Sequence, residues 1–185
     1  MRSAIPPRAL PRTPGQREID LTAYESEPAS AAAPTRPRVM FVASNGGHLA
    51  QLIGLRGWWS GRERVWVSFD KPDARSKLAD EDVVWAHWPT TRNLPNLVRN
   101  FWLAVAAIRR HKPDVIVSTG AGVALPFFIV GRIRRIPTVY IEVYDRLDSR
   151  TLTGRLCKPL STKFLVQWPE QEALYPGSTN VGPLL

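Results

Sequence analysis

From Arg38 onward, short apolar runs alternate with longer stretches of helical period, a pattern that predicts a parallel β-sheet with crossover helices. The runs read as strands are Val39–Ala43, Arg64–Phe69, Val83–Trp88, Val115–Ser118, Thr138–Glu142 and Lys163–Gln167, with a last short strand expected within Asn180–Leu185. Between them, Leu49, Leu52, Ile53 and Leu55 mark a helix ending near Gly57, and a short helix is expected around Ala74–Ala79. A long helix follows over Leu94–His111, closed by Arg109, Arg110 and Lys112 against its negative end and stopped by Pro113. Further helices are expected over Val123–Ile133 and Ser149–Leu160. The Val123–Ile133 stretch is almost wholly apolar but falls short of the ~20 residues needed to cross a bilayer, so it reads as a buried helix or as one face of a membrane-touching patch.

Two of the strands run directly into glycine turns. Val39–Ala43 enters Ser44, Asn45, Gly46 and Gly47, with a helix opening at His48 or Leu49; Val115–Ser118 enters Thr119, Gly120, Ala121 and Gly122. A strand that delivers its carboxyl end to a glycine turn beneath a helix N-terminus presents free N–H groups and the positive end of a dipole, so a phosphate or diphosphate is the expected occupant. In an open parallel sheet both turns face the crevice outside the strand ends. Glu142, Tyr144, Asp145 and Arg146 follow the fifth strand to the same edge, and Asp70 and Lys71 follow the second. His48, on the first turn of its helix, is placed to take a proton from a hydroxyl or donate to a phosphate.

Composition narrows the class. The chain has 185 residues, 44% of them hydrophobic, enough for one well-cored domain rather than two α/β domains. Residues 1–37, rich in Pro, Ala, Arg and Ser, have no apolar period and are expected to form a disordered arm, which leaves 38–185 as the folded domain. The arm lacks the apolar core of a secretory signal, and Glu18, Asp20, Glu25 and Glu27 argue against a transit peptide. A net charge of +9 implies an anionic partner: nucleic acid, lipid headgroups or a phosphorylated substrate. No basic-aromatic recognition motif supports nucleic acid, and His48, His87 and His111 have no metal-ligand spacing. The single cysteine, Cys157, excludes an internal disulfide and fits a reducing cytoplasm. A dinucleotide site with Asp70 on the ribose is a rival reading, but Ser-Asn-Gly-Gly-His lacks the three-glycine spacing that admits a pyrophosphate.

The segments VMFVASNGGHLAQL, VIVSTGAGVALPFF, Tyr140–Pro169 and NVGPLL, in this order, resemble the acceptor-binding subunits of two-part, UDP-sugar-dependent glycosyltransferases of the Alg14 and PssD/CpsF type, and more distantly the N-terminal half of MurG. The resemblance spans residues 38–185 and is most specific in the E-x-x-x-R of Glu142 and Arg146 and the later V-Q-W-P. It implies a Rossmann-like parallel-sheet domain equivalent to the N-terminal half of a GT-B glycosyltransferase, binding a lipid-diphosphate-linked acceptor. The UDP-sugar, UDP-N-acetylglucosamine or similar, would be bound mainly by a partner subunit, with no other cofactor or metal. On that reading His48 and Glu142 compete for the role of base. Ser44, Asn45, Gly46, Gly47, Gly120, Ala121 and Gly122 would line the acceptor and phosphate site, and Arg146 would pair with phosphate. A lipid-linked acceptor also implies peripheral attachment to the inner face of the plasma membrane. Trp58 and Trp59 beside Arg56, Arg62 and Arg64, and the cluster Arg132, Arg134 and Arg135, are the candidate membrane surface. A non-catalytic scaffold that recruits a transferase to the membrane is the rival from another class.

Overall fold

A computed structural model describes residues 36–184; all but the last two positions of the expected arm lie outside the described residues. Seven strands form one sheet: β1 (Val39–Val42), β2 (Arg64–Phe69), β3 (Val83–Ala86), β4 (Val115–Ser118), β5 (Thr138–Ile141), β6 (Lys163–Val166) and β7 (Thr179–Asn180). The spatial order is β3-β2-β1-β4-β5-β6-β7, and every ladder is parallel. Helices α1 (Gly47–Gly54), α2 (Arg56–Trp59), α3 (Pro72–Lys77), α4 (Leu94–His111), α5 (Ala124–Ile133), α6 (Leu152–Cys157) and α7 (Pro169–Leu174) connect them.

The apolar strand runs are explained by burial on both faces. Met40 and Val42 enter a core with Ala104, Ile108, Phe127 and Phe128 of α4 and α5. Val39 and Phe41, pointing the other way, enter a second core with Leu49, Leu52, Trp59 and Trp66. Phe41 stacks on Trp66 at 4.5 Å and meets Trp59 edge-on. The long helix α4 has clear ends. Asn93 Oδ1 accepts from the Asn96 amide at 2.9 Å, and Lys112 takes a left-handed conformation (φ 46°) before Pro113.

Several helices differ from the sequence reading, the one expected around Ala74–Ala79 running Pro72–Lys77. The helix expected to run to Gly57 pivots at Leu55 and continues as the short α2. The expected Ser149–Leu160 helix starts only at Leu152, capped by Thr151 Oγ1, and tightens into a 3₁₀ turn at Lys158–Leu160 around Pro159. Helix α7 was not expected at all, and it moves the last strand forward to Thr179–Asn180.

Candidate active site

The sheet order places β1 and β4 side by side at the point where the chain changes direction, so their two glycine turns share one edge. Both following helices start without a side-chain cap and without an acid in the first turn. The turns are clasped together. His48 Nδ1 lies 2.8 Å from the Thr119 carbonyl, and Thr119 Oγ1 donates to the His48 carbonyl at 2.7 Å. A carbonyl can only accept, so Nδ1 carries the proton and Nε2 of the neutral ring is left with its lone pair. Burial lowers the His48 pKa, against the opposing pulls of the Thr119 carbonyl and the Asp145 charge. The result is an imidazole held neutral and in one tautomer, which is what a general base requires.

Not every amide in the turns is free. Asp73, from α3, accepts from the Gly46 amide at 2.8 Å and from Asn45 Nδ2 at 3.3 Å, and the Gly46 bond leads the effects that hold its carboxyl below the ordinary value. A carboxylate therefore occupies the place at Gly46 and Asn45 where a phosphate was expected. Ser44 Oγ turns back to the Asn45 carbonyl. At the second turn the Gly120 amide donates to Ser118 Oγ at 3.0 Å. The amides of Gly47, His48, Ala121, Gly122 and Val123 donate to no acceptor among the described residues. The amides left without an acceptor among the described residues thus lie at the second turn and the start of α1 rather than on the glycines as a set. Asp73 left no signal in the sequence beyond Pro-Asp at a helix start.

Glu142 does not open on this crevice. It is 0% exposed, and its carboxylate accepts from Thr151 Oγ1 at 3.0 Å, from the Val143 amide at 3.1 Å and from Tyr175. Burial pushes its pKa up, against those hydrogen bonds. Gly154 makes the pocket possible, because a Cβ there would lie 2.2 Å from Glu142 Oε2 and 2.6 Å from the Tyr175 hydroxyl. As an expected catalytic residue Glu142 is therefore corrected to a buried anchor that ties the loop after β5 to α6. Glu142→Ala should cost about 2 kcal/mol in chemical denaturation, by orphaning buried hydroxyls, and Glu142→Gln clearly less. The raised folded pKa means the native state holds this proton more tightly than the unfolded chain. Wild-type stability should then fall as pH rises from 4.5 through the raised value, and Glu142→Gln should flatten that slope.

Arg146 lies on the exposed 144–150 loop; its backbone carbonyl accepts from Gln171 Nε2, and its guanidinium makes no ion pair among the described residues. Asp70, the ribose ligand of the dinucleotide reading, is bound to Arg75 instead. The Trp58–Trp59 surface is also corrected. Trp59 is core, Arg64 is paired with Glu81, and the α2 segment precedes β2, at the sheet end away from the glycine turns. Cys157 is buried, which raises its thiol to about 12 and keeps it inert.

A parallel sheet with its site at the β1/β4 switch defines a Rossmann-like domain of the kind that forms the N-terminal half of GT-B glycosyltransferases. The matching solved structures agree. Acinetobacter baumannii MurG superposes with a TM-score of 0.64 at 17% identity, over 80% of this chain and 45% of that one. Rickettsia bellii UDP-N-acetylglucosamine 2-epimerase superposes at 0.63 and 12% identity over 80% and 45%. This chain thus spans less than half of either, and the likeness is one of fold. Residues 87–184 match the family model "Oligosaccharide biosynthesis protein Alg14 like", and the chain belongs to the Alg14 family and is a transferase subunit of that type. The human UDP-N-acetylglucosamine transferase subunit ALG14 is 26% identical over 180 residues, covering 80% of this chain and 82% of the human protein. The UDP-N-acetylglucosamine–N-acetylmuramyl-(pentapeptide) pyrophosphoryl-undecaprenol N-acetylglucosamine transferase of Syntrophotalea carbinolica is 29% identical over 84 residues, 45% of this chain and 23% of that protein.

Proposed function

We propose that this chain is the acceptor-binding subunit of a heteromeric, inverting glycosyltransferase. The sugar moves from a UDP-sugar, UDP-N-acetylglucosamine or a close analogue, to a lipid-diphosphate-linked acceptor in exopolysaccharide, capsule or lipid-linked oligosaccharide synthesis. The observation that carries this reading is the clasp of His48 onto the second glycine turn, which sets a neutral imidazole beside unpartnered amides at the switch point. The acceptor hydroxyl attacks the anomeric carbon and gives its proton to His48 Nε2, while the anomeric C–O bond breaks and the nucleoside diphosphate leaves. The amides of Ala121, Gly122 and Val123, with Arg146, hold the acceptor diphosphate. The partner subunit supplies the donor site across the crevice. The test is sugar transfer by the chain co-expressed with the product of its neighbouring reading frame, using membrane lipid extract and a panel of UDP-sugars. Transfer by this chain alone would overturn the division of labour, and intact transfer by a His48→Ala pair would favour the scaffold reading.

Membrane contact is assigned to the outer faces of α4 and α5. Among the described residues no helix is long and apolar enough to cross a membrane. On α4, however, Leu94, Val98 and Trp102 recur every four residues at 68%, 51% and 65% exposure, and Ile133 of α5 is 67% exposed. Arg109, Lys112 and Arg134 line one cleft where α4 ends, so the Arg132–Arg135 cluster borders this face. A tryptophan within an apolar stripe edged by cations suits an anionic bilayer surface. Val98→Glu with Trp102→Glu should lower co-sedimentation with anionic vesicles at least tenfold without unfolding the chain. Trp58→Glu, on the opposite side of the sheet, should leave it unchanged.

A further inference from the structure

The loops that leave β2 and β3 meet at the sheet edge that carries the glycine turns. Trp88, just beyond β3, is 58% exposed, and the ammonium of Lys71, just beyond β2, stands 3.6 Å from the centroid of its ring. Lys71 is half-buried and makes no ion pair among the described residues, since the neighbouring Asp70 is taken by Arg75. The pair is tethered to both turns. Two positions after Lys71, Asp73 holds the Gly46 amide and the Asn45 side chain of the first turn. Two positions after Trp88, Thr90 lies against Gly122 of the second, where its Oγ1 would stand 2.9 Å from an added Cβ. Two extended residues span at most ~7 Å, so Trp88 and Lys71 border the crevice on its β2 side. Trp88 is also held from either flank: the His87 backbone is bonded both ways to Asn100, and the Pro89 carbonyl accepts from Asn96 Nδ2 at 2.9 Å.

An open indole face is a flat apolar surface with negative charge density above it, and an unpaired ammonium beside it donates to oxygen. A bilayer lies on the wrong side to use them: α3, which follows Lys71, packs through Ala74 into the core on the sheet face opposite α4. The core of a subunit interface is apolar over a contiguous patch, whereas the exposed neighbours of Trp88 in the two loops are Asp70, Pro72, His87, Pro89 and Arg92. One aromatic face ringed by polar groups suits a pyranose, which has an apolar C–H face and a rim of hydroxyls. The position agrees. Strands lie ~4.8 Å apart, so β2 is about 10 Å from β4 across β1, and a sugar carried by a diphosphate on the second turn reaches over His48 to the β2 side. Resting on the acceptor reading above, we infer that Trp88 and Lys71 form a saccharide subsite: the pyranose joined to the acceptor diphosphate stacks its C–H face on the indole, and Lys71 Nζ donates to its hydroxyls. The platform then selects acceptors by the sugar they carry, independently of the lipid.

The test titrates the full chain by NMR with three water-soluble probes, α-glucose 1-phosphate, α-N-acetylglucosamine 1-phosphate and inorganic phosphate. A stacked ring should make at least one sugar phosphate bind about 10-fold more tightly than inorganic phosphate, with saturation transferred to its ring C–H protons. Trp88→Ala should erase that preference, and Trp88→Phe should keep part of it. Trp58→Ala removes another exposed tryptophan beside a cation, the Arg62 guanidinium at 4.8 Å, and should change nothing. Equal binding of the three probes, or a sugar preference that survives Trp88→Ala, overturns the platform. In the co-expressed pair, Trp88→Ala should raise the acceptor KM about 10-fold and leave kcat within a factor of about 3. Loss of the companion from the purified Trp88→Ala pair would instead make Trp88 a subunit contact and overturn the saccharide subsite. The two readings fail separately. Sugar transfer whose acceptor KM ignores Trp88 leaves the acceptor reading standing without the platform, whereas a Trp88-dependent sugar preference with no transfer to any lipid acceptor leaves the platform and sinks the transferase.

Discussion

Replacing His48 by Ala or Gln lowers sugar transfer by the co-expressed pair about 10²- to 10⁴-fold, the range expected when a general base is removed from an oxygen nucleophile. The loss falls on turnover rather than on acceptor affinity, because the amides of Ala121, Gly122 and Val123 are untouched. The pH profile carries the sharper signature. Only the neutral ring accepts a proton, and burial lowers the His48 pKa from 6.5, so the acid limb of kcat/KM in the wild type lies below 6.5. In the His48→Gln pair that limb disappears from the residual rate. Stability follows the same sign: the folded chain binds this proton less tightly than the unfolded chain, so the His48 contribution is complete above pH 6.5 and is lost as pH falls below it. An unchanged acid limb in the variant would assign it to another group and remove His48 as the base.

The sheet was readable because its physics is local. Strands buried on both faces are almost wholly apolar, so VMFV, RVWVSF and VIVS announced themselves, and the C-terminal end of α4 was marked by Pro113. What failed lies where local signals compete. PEQEAL has too little apolar period to announce α7, whose fixing contacts are partly distant: besides the local bond from the Gln167 amide to Gln171 Oε1, Gln171 Nε2 donates to the Val143 and Arg146 carbonyls. The outer stripe of α4 was equally hidden, because Leu94, Val98 and Trp102 look like core positions until the sheet is seen to lie on the other side.

The site was legible in its backbone and opaque in its side chains. Two glycine turns after two strands converge whenever the strands are neighbours, and β1 and β4 are. Which amides remain free depends on Asp73, 27 residues from Gly46, and on Ser118, which points back into its own turn. Glu142 misled for a different reason. Carboxylates are so seldom buried that one at a strand's carboxyl end reads as catalytic, and only the tertiary pocket made by Thr151, Gly154 and Tyr175 shows it turned inward.

Gly120→Ala should damage stability and catalysis together. Gly120 has φ 107°, a backbone conformation that a side chain strains by about 1–3 kcal/mol. The added Cβ would also stand 2.6 Å from the Tyr140 hydroxyl and 3.4 Å from His48 Cε1. Tyr140 cannot retreat, being 1% exposed and stacked at 4.9 Å on Phe164, with Phe128 against its edge. The turn must therefore move, and with it the Thr119 carbonyl that fixes the His48 tautomer. We expect a stability loss of about 2–4 kcal/mol, from strain and overpacking together, and transfer activity at least 10²-fold lower at a temperature where the chain remains folded. Tyr140→Phe in the same chain removes the clashing oxygen but not the backbone strain, so the double variant should recover part of the stability and part of the activity. Undiminished transfer by Gly120→Ala, at a temperature where the chain remains folded, would mean that the second glycine turn has no part in holding His48 for catalysis.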